Sequence, residues 1–162
     1  MAGSLVDRMV GAAFLSVDTF EEVEHDQEAT AQAAMVVAMV AAAQAIGASP
    51  LGVFGAVRAA VVSLVGWALW AGITYLVGAK LFGGTASWGE LLRTLGFAQA
   101  PGLLMVLGII PFLGKPVIVV VALWMLVAAF IAIRQALDFG NGKTFGTVLV
   151  GWGIYTLLAV LF

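Results

Sequence analysis

The sequence predicts an all-α fold: a polytopic membrane helix bundle of five transmembrane helices, preceded by an N-terminal amphipathic helix at the membrane interface. Composition is the first observation, because 63% of the 162 residues are hydrophobic and only 10% are charged. A soluble domain is about 45–50% apolar and about 25% charged. The second observation is a mean hydropathy of +1.12, carried by several long apolar runs. Such a chain could not cover its surface with polar groups in water, so we expect an integral membrane protein.

Charged residues are unevenly distributed along the chain. Residues 1–28 hold seven of the nine acids and one base, whereas the remainder holds six bases and two acids. The sequence has no cysteine and one histidine, His25, which excludes disulfides, thiolate chemistry and a site built from several histidines. We therefore expect no metal, no cofactor and no nucleic-acid partner.

The first 28 residues form an acidic, amphipathic segment that we expect on the cytoplasmic side. Ser4 to Leu15 shows apolar residues at helical spacing, and Ser4 with Asp7 fits a variant of the capping box. Such a helix can lie in the plane of the membrane interface, or it can dock on the bundle as a connector. The sequence leaves both arrangements open.

A strongly acidic stretch follows from Asp18 to Glu28. Phe20 and Val23 give it one apolar side, and the acids favour a solvated helix that leads into the bilayer. A metal or partner site is the alternative interpretation. The candidates for a cytoplasmic contact are the acids Glu21, Glu22, Glu24 and Asp26.

Residues 29–162 are predicted to form the membrane domain. A helix needs about 20 residues to cross about 30 Å of hydrocarbon. Breakers and turn residues such as "GASP", "GG" and "DFGNGK" separate the apolar runs. The five spans are expected at about 29–47, 58–79, 96–113, 117–134 and 144–162. Small residues at a spacing of four, in the sets Ala34–Ala38–Ala42 and Ala68–Gly72, indicate faces that another helix approaches closely.

Lysine and arginine set the expected orientation. With a cytoplasmic N-terminus, the inner side would hold five of these residues and the outer side two, Arg58 and Lys115. This distribution favours an N-terminus inside and a C-terminus outside.

The stretch "GFAQAPGLL", Gly96 to Leu104, places polar and irregular features inside an apolar run. Pro101 removes one helical hydrogen bond and frees the carbonyl of Phe97, which hydrocarbon cannot satisfy. Gln99 can donate to a freed carbonyl, and Gly96 with Gly102 lets a neighbouring helix come close. We expect a kinked helix buried against protein, with a pocket or hinge as the alternative.

Another helix is predicted to begin at "SWGE", because Ser87 and Glu90 fit the S-x-x-E capping box. Glu90 and Arg93 lie one turn apart on it. We expect them to face the headgroups as an interfacial ion pair.

The segment "GFAQAP" resembles the G-[Y/F]-x-x-x-P segment of the Yip1 domain family. "LLRTLGFAQAPG" is similar to the form common in short bacterial members, and "FEEVEHD", "GTASWGELLR" and the five-span layout agree with it. The resemblance implies a five-helix domain with a cytoplasmic N-terminus, here in a bacterial cytoplasmic membrane. Eukaryotic members act in vesicle trafficking and bind Rab-type GTPases and each other. This sequence lacks their long cytoplasmic N-terminal region, which argues against GTPase binding.

An enzyme is not expected, because no reactive cluster or H-E-x-x-H or G-x-S-x-G motif occurs in the sequence. Three other classes of function remain. A non-catalytic membrane protein that works through contacts with lipid, other membrane proteins or itself is expected. The alternatives are an accessory subunit of a larger membrane complex, such as a respiratory or photosynthetic assembly, and a passive small-molecule or lipid carrier. The contact candidates of the membrane domain are Gly96, Phe97, Gln99, Pro101, Gly102, Glu90 and Arg93.

Overall fold

The structure, a computed structural model, describes residues 3–48 and 52–161, and the regular structure in these ranges is entirely helical. The helices are α1 (Leu5–Ala13), α2 (Val17–His25), α3 (Ala29–Ala48), α4 (Gly52–Thr74), α5 (Trp88–Phe97), α6 (Gly114–Ala136) and α7 (Asn141–Leu161). A π-helical segment, Tyr75–Leu81, extends α4, and a 3₁₀ segment, Ala100–Ile109, follows α5.

Within the described ranges, four helices are long and apolar enough to cross a membrane. They cover Ala29–Gly47, Ala60–Leu81, Trp88–Ile109 and Gly114–Ala136. The helix α7, where the fifth span is predicted, is not among these four. The fold is therefore an all-helical bundle with the apolar helices of a membrane protein, and the structure shows four such helices where the sequence predicts five.

The third of these helices begins earlier than the sequence predicts, at Trp88 and not at Gly96. The helix that the Ser87 capping box starts does not stop before the apolar run but continues into it. Pro101 is tolerated because it occupies the first turn of the 3₁₀ segment, where its missing N–H has no helical partner to lose. The N–H of Gly102 donates to the carbonyl of Gln99 at 2.7 Å, which begins the tighter winding. We call Trp88–Ile109 the rod.

The helix α3 lies at the centre of the bundle and packs on α4, on α5 and on the 3₁₀ segment. Its fully buried residues are Ala29, Ala33, Val36, Val37, Val40 and Ala41. The predicted stripe Ala34–Ala38–Ala42 is only half-buried and lies beside this face. A helix that is apolar all round carries no polar side to show which face is inside, so the sequence misplaces the stripe.

The two N-terminal helices form a hairpin docked against the bundle. The capping box between Ser4 and Asp7 is present at the start of α1. One side of α1, with Leu5 and Met9, packs on the core, and α2 packs on α5 and α6. The structure therefore has the docked arrangement, with part of α1 left exposed.

Candidate functional site

Arg93 joins the rod to the N-terminal hairpin. Its side chain is buried, and its Nε donates to the carbonyl of Val23 at 2.8 Å and to that of Glu24 at 3.1 Å. Its Nη2 also donates to the Glu24 carbonyl, and Nη1 lies 3.5 Å from Oγ1 of Thr30. These carbonyls belong to the last turn of α2, where helix carbonyls lack intrahelical donors. Arg93 therefore caps α2 with a charge that also suits its dipole.

The expected ion pair between Glu90 and Arg93 does not form. Oε2 of Glu90 accepts from the main-chain N–H of Ser87 at 2.8 Å, which completes the predicted capping box. Arg93 points inward to α2, so neither side chain is available to the other. Spacing on one helix indicated the pair, but a distant helix end supplies better acceptors.

A second buried arginine, Arg8, holds α1 to α2 and α3. Its side chain is 1% exposed, and Nη2 lies 2.9 Å from Oε1 of Glu22 and 2.6 Å from Oδ2 of Asp26. Nη1 donates to Oε1 of Gln32 on α3 at 2.9 Å. Sequence reasoning did not single out Arg8. The signal that could have found it is its position as the lone base among seven acids.

Hydrogen bonds lower the pKa values of the acids in this cluster. The main-chain N–H of Gly3 and the Arg8 guanidinium hold the pKa of Glu22 below its ordinary value. The hydrogen bond from Arg8 does the same for the pKa of Asp26. The solvated acidic helix predicted from the sequence is therefore, at Glu22 and Asp26, the acidic half of an ion-pair cluster.

The other two acidic candidates have separate surroundings. Glu21 is exposed and accepts a hydrogen bond from Nε2 of Gln135 on α6 at 3.2 Å. Glu24 gives Arg93 its main-chain carbonyl, while burial raises the pKa of its carboxyl group. The structure therefore does not bring the four acids together as one site.

The middle of the rod is packed on two sides. Gly96, Phe97, Pro101 and Gly102 are all buried. A Cβ atom on Gly96 would lie 2.7 Å from Cβ of Ala33, and one on Gly102 would lie 2.5 Å from Cγ1 of Val40. Both glycines are thus required by the close approach of α3.

Gln99 takes a different direction from the buried residues around it. It is half-buried, and no hydrogen bond of its side chain is present in the part of the chain that the structure describes. The expected donation to the freed Phe97 carbonyl is therefore not found. Gln99 instead lines an open groove of about 380 Å³ between the rod, α4 and α7. The other lining residues are Val62, Ser63, Gly66, Trp67, Trp70 and Trp152.

A second groove, of about 440 Å³, lies along the outer side of α4. Its floor includes Ala68 and Gly72, the small pair that the sequence predicts as a close-contact face. Trp88 closes one side and donates from Nε1 to the Ala68 carbonyl at 3.4 Å. Exposed Leu69 and Leu76 complete an apolar lining that fits a helix or an acyl chain.

The described residues offer few groups that could take part in catalysis. No group of three or more histidine, cysteine, aspartate or glutamate residues there could hold a metal ion. The two arginines are engaged in structural hydrogen bonds, and both grooves are lined by apolar and aromatic side chains with few polar atoms. The arrangement can bind apolar surfaces and can hold helices together.

The comparisons with known proteins agree with this architecture. The Yip1 domain matches residues 10–162, which is nearly the whole chain and includes the rod and the contact of Arg93 with α2. No curated protein and no solved structure matches the chain. The helical bundle with its apolar membrane helices, and the match along almost its full length, place the chain in the Yip1 domain family.

Proposed function

We propose that this Yip1 domain protein is a non-catalytic membrane protein that acts through lateral helix contacts with other membrane proteins or with a second copy of itself. One observation carries the proposal: the α4 groove combines a small-xxx-small pair with exposed leucines. Of an 18-residue apolar segment within Ala60–Leu81, only 28% of the residues are buried inside the protein, and of one within Gly114–Ala136 only 22% are. Small residues let membrane helices approach closely, so the groove offers a seat for another helix.

The proposed setting is a bacterial cytoplasmic membrane, with the N-terminus inside and the C-terminus outside. The excess of lysine and arginine on the N-terminal side supports this orientation. The helix α7 would make the fifth crossing, since its 21 residues can extend about 31 Å. Labelling of a cysteine at Phe162 only from the cytoplasmic side would contradict this topology.

Crosslinking in native membranes tests the contact. The chain has no cysteine, so Leu69→Cys and Leu76→Cys would each place a single thiol at the α4 groove. We expect oxidation to trap a covalent pair through these positions. The matched control is Leu123→Cys, equally exposed on α6. Native mass spectrometry of the purified protein then identifies the partner, since a second copy and a larger heteromeric complex differ in mass.

Filling the groove tests the same proposal without a crosslink. Ala68→Phe should block the seat and return the protein to its monomer mass, whereas Leu126→Phe, on the outer side of α6, should not. A wild-type protein that is monomeric, together with Leu69→Cys and Leu76→Cys variants that give no crosslink, would refute the proposal. A discrete heteromer would favour the accessory-subunit alternative within it.

A passive carrier of lipid or another small amphiphile is the second candidate. The Gln99 groove supports it, because a half-buried amide, with no side-chain partner among the described residues, and three tryptophans offer one polar anchor and an apolar wall. Gln99→Leu should then remove a co-purifying lipid from the native mass spectrum. An unchanged lipid complement would count against the carrier.

A further inference from the structure

Two hydrogen bonds fix how far the N-terminal hairpin reaches along α6. Glu21 meets Gln135 near the end of α6, whereas the carbonyl of Ala13 accepts from Nε1 of Trp124 at 2.8 Å. The helix between Trp124 and Gln135 spans about 16 Å. Half of the hydrocarbon thickness of a bilayer is about 15 Å. The turn between α1 and α2 therefore lies at about the middle of a membrane-crossing helix.

The packing of α1 gives the same depth independently. The helix α1 contacts the 3₁₀ segment Ala100–Ile109, which is the far part of the rod as counted from Trp88. Ala13 and Leu15, at the turn, pack against the core. The hairpin thus descends beside the membrane helices and does not lie across their ends.

The turn is closed in the way that hydrocarbon requires. Leu15 has a positive φ of 62°, and its N–H donates to the carbonyl of Ala12 at 3.1 Å. The N–H of Ser16 donates to the carbonyl of Gly11 at 2.9 Å, which makes a Schellman motif. With Trp124 on the Ala13 carbonyl, these three main-chain groups of the turn have partners in protein, as the bilayer interior demands.

The outer side of α1 is apolar and uncovered. Val6, Val10 and Phe14 follow one another at a spacing of four and are 65%, 49% and 78% exposed. On α6, Val120 and Leu123 are also uncovered. At the depth of the turn the medium that surrounds a membrane protein is acyl chain.

We propose that the α1–α2 hairpin is a re-entrant element whose turn, with Phe14 at its tip, inserts into the acyl chains of the leaflet on the N-terminal side. The stripe Val6–Val10–Phe14 contacts those chains. Exposed Asp7, about 10 Å of helix before Phe14, sets the upper limit of the inserted part on α1, whereas exposed Asp18 lies only about 5 Å above the turn on α2. Arg8 and Arg93 hold the hairpin in place from the headgroup side. The element displaces lipid in one leaflet only, which makes it a one-sided wedge.

Spin labelling of the full chain in phosphatidylcholine–phosphatidylglycerol liposomes tests the insertion. A single label at Phe14→Cys is compared with one at Leu123→Cys, which faces lipid at the same depth of α6, and with one at the exposed Gln27→Cys between α2 and α3. Collision rates with oxygen, which partitions into acyl chains, and with a water-soluble nickel complex report the surroundings of each label. We expect the Phe14 label to match the Leu123 label, with an oxygen-to-nickel ratio several-fold above that of the Gln27 label.

Two results would overturn the proposal. A Phe14 label that matches Gln27 would place the turn in water. A Phe14 label shielded from both reagents would mean that protein, and not lipid, covers the stripe. If Phe14→Cys disturbs the fold, a label at Val10→Cys, one turn nearer to the headgroups, replaces it. That label should report a shallower position in the same leaflet.

Discussion

Arg8 and Arg93 both bind the α2 helix, but Arg8 binds carboxylates and Arg93 binds main-chain carbonyls. Both arginines are buried, at 1% and 6% residue exposure. The partners of Arg8 are partly open to water, with the Glu22 side chain 40% exposed and that of Asp26 26% exposed. The principal partners of Arg93, the carbonyls of Val23 and Glu24, form the end of a helix.

The difference separates two ways of attaching a hairpin to a membrane bundle. Carboxylates that keep contact with water can be hydrated if their arginine is lost. Carbonyls at a buried helix end cannot be hydrated in this way. Each one left unpaired lowers the free energy of unfolding by about 1–3 kcal/mol. The Arg93 site should therefore bear more of the stability, and the Arg8 site should be the one that responds to pH.

Arg93→Met should give the largest effect. Loss of the guanidinium leaves the carbonyls of Val23 and Glu24 without their donor, so the free energy of unfolding should fall by about 2–4 kcal/mol. Thermal melting in detergent measures this, and hydrogen exchange should show α2 opening first. A melting temperature unchanged from wild type would mean that water replaces Arg93 at the α2 end.

Arg8→Met should cost less, about 1 kcal/mol, because Glu22 and Asp26 can turn to solvent. Its effect should be local to α1, which loses its links to α2 and α3. Limited proteolysis near the N-terminus reads this out, with Arg134→Met as a control at a more exposed arginine. If Arg8→Met were as damaging as Arg93→Met, the proposed distinction between the two sites would be wrong.

Lysine replacements should separate the sites by geometry. A lysine at position 8 can still neutralise the two carboxylates as a point charge, whereas a lysine at position 93 lacks the planar fork that serves two carbonyls and Thr30. We expect Arg8→Lys to melt within a few degrees of wild type and Arg93→Lys to melt lower. Equal melting temperatures would show that charge alone, and not the shape of the guanidinium, holds α2.

The smallest predicted effect is a loss of stability in acid at the Arg8 site. The folded-state pKa values of Glu22 and Asp26 lie below their ordinary values of 4.5 and 3.8. Their contribution is therefore full above those values and is lost as the pH falls through the lowered ones. The melting temperature should drop across this window. The Glu22→Gln, Asp26→Asn double variant should drop less, and an identical decline in both proteins would assign the acid response elsewhere.

Short-range features of the fold were predictable from the sequence. The capping boxes at Ser4–Asp7 and Ser87–Glu90 are confirmed, because each depends on residues three positions apart. The apolar runs likewise predict most of the helices. The family resemblance rests on "GFAQAP", and the Yip1 match confirms it.

Contacts between distant residues were not predictable in the same way. Arg93 meets Val23 across 70 positions, and nothing near Arg93 in the sequence indicates that a helix end lies beside it. The acids near Arg8 could be recognised as acidic but not as its partners, because their pairing depends on the direction in which α2 returns. Gln99 was expected to donate to a freed carbonyl on its own helix or a neighbouring one, whereas in the structure it lines the groove beside the 3₁₀ segment.

The bond between Trp124 and Ala13 joins residues 111 positions apart, and this separation imposes an order on biosynthesis. The hairpin leaves the ribosome before α3 and α4, and its partners on the rod and α6 are made later still. At about 5–20 residues per second, roughly 6–22 seconds pass between the two sides of that bond. During this interval the core-facing side of α1, with Leu5 and Met9, has no bundle to dock on. The hairpin must therefore be held at the membrane surface or by a chaperone. It docks on the protein in a late step, after the rod and α6 are in place.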